Sequence, residues 1–207
     1  MSDVLEPVLR RLHEFVAQAE FAEELNRAKA GYFEQVGSPK DGEPFVEMRL
    51  ALFLEWFMFE RTLDRLHQTP IELCLSRRGA ELSEPERGTC AALTRSIHRL
   101  FQVKKIKDDR AVLVDLLDKK KYKEVHNLPQ NLHSGDIAEL RLVPVGKEWV
   151  ATEAYCYHPP EAHKFILKEA KRAAKMGDDP GGLLRRLMAM STKWERYPRM
   201  KISEIYK

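Results

Sequence analysis

A strand-like stretch from Arg99 to Tyr155 constrains the fold most, because the rest of the chain has a helical pattern. Within it, apolar and polar residues alternate in short runs, and turn-forming residues separate the runs. Five such runs in under about sixty residues indicate a small barrel of SH3 or OB type. We expect a barrel rather than an open sheet, because closure removes edges that would otherwise aggregate. The predicted barrel has five antiparallel strands.

The sequence before this stretch predicts four helices. Apolar spacing predicts the first helix over residues 3–30 and a buried second helix over residues 45–66. Thr69 and Pro70 are typical of a helix start, and that third helix is expected to end near Arg78. Ser83, followed three residues later by Glu86, predicts a capping box and a fourth helix that continues to about His98.

After the barrel the pattern is helical again. Residues 161–175 carry an apolar side and a basic side, and residues 183–194 form a shorter run before a basic tail. The predicted fold class is α+β, with an N-terminal helical unit, a central small five-stranded antiparallel SH3/OB-like barrel, and C-terminal helices. The predicted domains are a helical domain at 1–98, the barrel at 99–158, and a C-terminal helical arm with a basic tail at 159–207.

Composition limits the class of protein. A chain of 207 residues with 43% hydrophobic and 32% charged residues is typical of a globular protein with a real core. The N-terminus carries acids early and lacks the apolar core of a secretory signal, and the most apolar run, 50–59, is too short to span a bilayer. Three cysteines, far apart and odd in number, favour free thiols. We therefore expect a cytoplasmic protein without membrane attachment.

The formal charge of +3 hides an asymmetry along the chain. Residues 1–68 hold eight Lys/Arg against thirteen Asp/Glu, a charge of −5. Residues 95–124 hold ten against five, or +5, and residues 164–207 hold twelve against five, or +7. Two interpretations follow: the basic parts bind an anionic partner, or they pack against the protein's own acidic third.

The candidate binding site is a basic surface on two hairpins of the barrel. Lysines and an arginine bracket these hairpins, and adjacent hairpins would bring the charges to one side. Tyr122 and Phe101 are expected to supply aromatic faces on which bases stack. Lysine-rich edges also protect sheets from aggregation, so a purely structural role stays open. The predicted site residues are Lys104, Lys105, Lys107, Arg110, Lys119, Lys120, Lys121, Tyr122 and Lys123.

Other residues with chemical potential have simpler explanations. Cys156, His158 and His163 match no standard zinc spacing and are expected to mark a strand-to-helix junction. His126 and His133 flank a connection between strands and lack a nucleophile motif. Neither a catalytic nor a metal residue is therefore predicted, and no cofactor. Glu55 is expected to pair with an arginine such as Arg49 or to be solvated at an edge.

Several segments carry a family resemblance. The series FLEWFMFERTLD, TPIELCL, LSEPERGTCAAL, LFQVKKI and SGDIAELRLVPVGKEWV spans about residues 45–155. It resembles an uncharacterised family of bacterial proteins in which a helical Glu-Trp-Phe segment precedes a small β-barrel. The resemblance implies packing and turn positions and transfers no functional residue.

The sequence thus favours a non-enzymatic cytoplasmic binding or adaptor protein that recognises a protein partner. The alternative is a nucleic-acid-binding protein that uses the same basic hairpins. An enzyme is the third possibility, and a deep polar pocket around His126, His133 or His158 would support it. The sequence does not indicate the oligomeric state.

Overall fold

A computed structural model describes residues 2–40, 42–43 and 45–207. In this part of the chain, helices precede and follow a five-stranded barrel, so the predicted α+β class is confirmed. The helices are α1 Ser2–Val16, α2 Ala22–Val36, α3 Val46–Phe59, α4 Pro70–Arg78, α5 Glu84–Leu93, α6 His163–Met176, α7 Pro180–Arg196 and α8 Ile202–Ile205. No described helix combines the length and apolar character needed to cross a bilayer.

The helices α4 and α5 begin where the sequence places caps, and α4 ends at Arg78 as predicted, whereas α3 ends at Phe59 rather than at residue 66. Ser83 forms the predicted capping box with Glu86, and Thr69, predicted as a helix start, forms a second capping box with Glu72. The predicted first helix is two helices, because a 3₁₀ turn at Ala19–Phe21 interrupts it. The fourth helix ends at Leu93 rather than near His98, since Ile97 and His98 already belong to the barrel.

The barrel is closed and consists of β1 Ile97–Lys107, β2 Arg110–Asp115, β3 Lys121–His126, β4 Ile137–Val145 and β5 Glu148–His158. Its order is β1-β2-β3-β5-β4, and β4 pairs with β1 to complete the ring. The sequence predicted antiparallel strands throughout, but β3 and β5 pair in parallel through Val125–Trp149 and His126–Val150. This Greek-key order with one parallel contact is that of an OB-type barrel.

One core cluster joins the helical unit to the barrel and to the C-terminal arm. Leu52 and Phe53 of α3 pack in the same buried cluster as Val150 of β5 and Met188 of α7. Along these contacts α3 lies on β5, α5 lies on β4, and α7 lies on β1 and β5. The predicted domain boundaries stay a prediction, but the apolar core is continuous across them.

Buried ion pairs cross the same boundary. Arg141 of β4 donates to Glu55 Oε2 of α3 at 3.0 Å and to Ser96 Oγ at 3.2 Å, and it also pairs with Glu60. Thr152 of β5 donates to the same Glu55 oxygen at 3.0 Å. The sequence expectation that Glu55 pairs with an arginine is confirmed, but the partner is Arg141, which the barrel brings to it, rather than Arg49.

Candidate binding surface

Part of the barrel surface is left uncovered by the helices. The outer sides of β2, β3 and the second half of β1 carry exposed or half-buried side chains. On β2, Ala111 and Leu113 point into the barrel core, while Val112 and Val114 alternate with them and face outward. This surface and the turn between β2 and β3 carry the predicted basic residues.

The strand register sets the arrangement of this surface. Val114 lies opposite Gln102 of β1 on one side and Lys121 of β3 on the other. Val112 lies opposite Lys105, next to a β-bulge in β3 that holds Lys123 and Glu124. Directly opposite side chains on one face lie within about 5.5 Å at Cβ. The two valines therefore form an apolar centre between lysines of both neighbouring strands.

We name this surface the lysine face and define it by the two valines and the seven lysines around them. All seven lysines are exposed. Lys119 in addition donates a hydrogen bond to the carbonyl oxygen of Leu116 at 2.6 Å. Among the described residues, none of the seven forms an ion pair with a carboxylate. The lysine face comprises Val112, Val114, Lys104, Lys105, Lys107, Lys119, Lys120, Lys121 and Lys123.

Arg110 and Tyr122 differ from the other predicted site residues. Arg110 donates to Glu124 at 2.8 Å and lies 3.7 Å from Asp109, so its charge is neutralised within the protein. Tyr122 is only 4% exposed, and its ring packs edge-on against Phe101 and Trp149 inside the barrel. The expectation that Tyr122 and Phe101 offer stacking faces is wrong. Successive side chains of a strand point to opposite faces, so outward Lys121 and Lys123 indicate that Tyr122 points inward. This signal is already present in the sequence.

The acidic N-terminal third pairs with the C-terminal arm rather than with the hairpins. Arg196 of α7 donates to Glu43 Oε1 at 2.6 Å, and Arg185 donates to Gln35 of α2 at 2.8 Å. The second interpretation of the charge asymmetry, packing of basic parts on acidic parts, therefore holds for the arm. For the lysine face, the described residues provide no such pairing.

One group of side chains at the rim of the barrel has the composition of a metal site. Ligand atoms of Glu124, His126 and Glu148 lie within 4.8 Å of one another, and the sequence analysis singled out only the histidine. The parallel pairing of β3 with β5 brings them together. The Nδ1 atom of His126 lies 3.4 Å from the carboxylate of Asp109. Arg110 already occupies one oxygen of Glu124, which weakens the case for an ion here.

The three residues of the strand-to-helix junction make structural contacts. His158 is fully buried, and burial lowers its pKa to about 3, so it remains neutral. Its Nδ1 lies 3.1 Å from the hydroxyl of Tyr206. His163 Nε2 lies 3.2 Å from the carbonyl oxygen of His158, and Cys156 is a free, buried thiol. These contacts join β5 to the C-terminal arm.

Comparison with known proteins gives one match. A family model described as a family of unknown function, DUF7986, matches residues 36–180. This range contains the helical Glu-Trp-Phe segment, the whole barrel and α6. No curated protein and no solved structure matches the chain.

Proposed function

The chain belongs to the DUF7986 family, and since the function of that family is unknown, we propose a function from the lysine face itself. The protein is a non-enzymatic binding or adaptor protein that recognises a protein partner with an acidic surface. One observation carries this proposal: two half-buried valines stand among seven lysines that have no carboxylate partner among the described residues. An apolar centre with a polar rim is typical of a protein interface.

The electrostatics of this face favour an acidic partner. Lysines on an interface rim steer a partner of opposite charge and mainly raise the rate of association. Because the lysines are exposed, salt screens their attraction beyond about 10 Å at 0.1 M ionic strength. Binding should therefore weaken with salt, while the valine contacts keep part of the affinity.

A matched pair of variants tests the proposal by affinity capture from the native host. The face variant carries Lys105→Glu, Lys121→Glu and Lys123→Glu. The control variant carries Lys168→Glu, Lys171→Glu and Lys175→Glu on α6, which are exposed and change the net charge equally. We expect the wild type and the control variant to retain the same partner and the face variant to lose it. Retention of that partner by the face variant would reject the proposal.

Nucleic-acid binding is the second candidate function, and the barrel type supports it. OB-type barrels bind oligonucleotides on the face that includes strands 2 and 3, where the lysine face lies. Since no aromatic ring among Phe101, Tyr122 and Trp149 stands fully exposed, such binding would depend on phosphate contacts. For single strands, the logarithm of affinity should then fall by about 0.7 per phosphate contact for each tenfold rise in salt.

Fluorescence anisotropy with mixed single-stranded RNA and DNA across a salt series separates the two functions. Absence of binding at low salt would eliminate the nucleic-acid candidate. The isosteric double variant Val112→Thr and Val114→Thr adds a second criterion. It should abolish capture of a protein partner, because it removes the apolar centre, but leave phosphate contacts intact.

The location of the protein is part of the same proposal. We propose a cytoplasmic, bacterial protein, on the resemblance described above and on the state of the cysteines. Cys74, Cys90 and Cys156 are all free and buried, which supports a reducing compartment. Fractionation of the native host with an antibody against the protein would test this location.

A further inference from the structure

A cavity of about 270 Å³ lies where the helical unit, the barrel and the C-terminal arm meet. It shares no residue with the lysine face. Its walls are largely apolar and come from α3, β5 and α7, while exposed Asn131 contributes to its mouth. Ligand pockets often lie at such junctions and measure about 300–1,000 Å³. The main apolar lining residues are Met48, Leu52, Tyr155, Met188 and Trp194.

Arg49 supplies the main polar group of this cavity. It is 4% exposed, and its Nη2 donates to Glu43 Oε2 at 2.7 Å. Its Nε and Nη1 are buried and have no hydrogen-bond partner within the described part of the chain. A buried guanidinium with unused donors is costly, because the lost hydration is not replaced. A bound acceptor would remove that cost.

Glu195 of α7 is a second polar residue in the lining of this cavity. Its Oε2 is likewise buried and has no partner among the described residues. Burial raises the pKa of Glu195 to about 7, although Arg49 acts in the opposite direction. Below about pH 7 its protonated form can donate a hydrogen bond, whereas the ionised form repels an anion. Glu43 is shared between Arg49 and Arg196, so when Glu195 is protonated two positive charges face one negative charge. This part of the cavity then favours one added negative charge.

We propose that this cavity binds a small organic molecule with an apolar body and one carboxylate, which accepts hydrogen bonds from Arg49. The apolar body lies against Leu52, Met188 and Trp194, and the protonated carboxyl of Glu195 is placed to donate to the ligand. A neutral alcohol of the same shape lacks the charge for Arg49. An amine of the same shape adds a second cation beside it.

Isothermal titration calorimetry with octanoate tests the site, and 1-octanol and octylamine serve as matched controls. We expect octanoate to bind with one-to-one stoichiometry and about tenfold or more tighter than either control, the difference expected for a charge-assisted hydrogen bond. Hexanoate and dodecanoate should bind more weakly, because the first underfills the cavity and the second exceeds it. Equal affinity for octanoate and 1-octanol, or no octanoate binding, would overturn the proposal, and waters would then be the partners of Arg49.

Arg49→Met should reduce octanoate affinity to that for 1-octanol and leave the affinity for 1-octanol unchanged. Arg77→Met removes an exposed arginine far along the chain from these walls and should have no effect on either ligand. Circular dichroism establishes whether Arg49→Met is folded. If Arg49→Met is unfolded, the variant Glu195→Gln tests the site instead, because that substitution keeps the shape of the side chain.

Glu195→Gln keeps the shape of the side chain and remains neutral at every pH. Wild-type affinity for octanoate should fall as pH rises through about 7, because ionised Glu195 repels the ligand. Glu195→Gln should keep its affinity at alkaline pH, and an identical decline in both proteins would overturn the proposal. The charged and titratable groups that face Glu195 are Arg49 of α3, Glu43 before it, Arg196 of α7, Cys156 of β5 and Tyr206 after α8.

Discussion

The side chain of Arg141 is expected to contribute strongly to the stability of the folded protein. It is 1% exposed and pairs with Glu55 and Glu60, so its removal leaves Glu55 without a cation and Glu60 with His98 alone. Loss of one partner from a buried ion pair costs about 3–5 kcal/mol. We expect Arg141→Met to lower the free energy of unfolding by that amount, measured by urea denaturation. Arg77→Met breaks an exposed pair with Glu20 and should cost less than about 1 kcal/mol. Equal effects of the two variants would contradict this account.

His98 makes the stability of the protein depend on pH. Burial lowers its pKa, but Glu139 at 2.8 Å and Glu60 at 2.9 Å outweigh burial and raise it to about 9. Because the folded pKa exceeds the ordinary value of 6.5, the stabilisation is complete below that pH and is lost as pH rises through about 9. We expect the free energy of unfolding to fall across this range.

Urea denaturation at about pH 7.5 and pH 9 measures this loss and avoids the titration of Glu195 near 7. The raised pKa of Glu195 changes the stability only as pH rises to about 7, so its contribution is nearly constant between pH 7.5 and pH 9. His98→Gln should make the decline smaller, since glutamine does not titrate, and the decline that remains comes from the buried thiols of Cys74, Cys90 and Cys156, whose pKa values are also raised. A wild-type stability that does not change between the two pH values would refute the assignment to His98.

At the scale of elements, local signals predicted the starts of α4 and α5 and the end of α4, but not the ends of α3 and α5. A cap is a local signal: Ser83 and Glu86 bond each other's backbone groups within one turn. The end of α5 depends instead on distant chain, because Ile97 and His98 pair with Leu142 and Arg141 of β4. At the break after α1 the contact is local instead, since Phe21 packs on Phe15 with ring centroids 5.0 Å apart.

The capping box of α5 gives a prediction at this scale. Ser83 accepts from the backbone N–H of Glu86, and its own N–H donates to Glu86 Oε2 at 2.8 Å. Ser83→Ala should cost about 1 kcal/mol of stability in thermal or urea unfolding, while Ser83→Asp should cost little because aspartate also caps helices. Ser134→Ala, in an exposed loop, is the control and should have no measurable effect. A wild-type stability for Ser83→Ala would contradict the capping role.

For the whole molecule, the sequence predicted a closed barrel but neither its parallel strand pair nor its attachment to the helices. Alternation within each strand is local, and it indicated all five strands. The parallel contact of β3 with β5 joins segments separated by β4, so no local pattern reports it. The same holds for the candidate sites: the lysines were visible in the sequence, whereas Arg49 and Glu195 line one cavity only because α3 and α7 both pack on β5.

The shared core predicts that the helical unit and the barrel unfold together. Leu52 of α3 is buried in a cluster that also contains Val150 of β5 and Met188 of α7, so the core of the helical unit is incomplete without the barrel. Helical circular dichroism and the fluorescence of Trp149, with Trp56 and Trp194 replaced by Phe, should therefore give coincident unfolding curves. Leu52→Ala should shift both curves equally by about 2–5 kcal/mol, whereas Leu66→Ala, at an exposed position, should shift neither. Two separate transitions would instead support independent domains at 1–98 and 99–158.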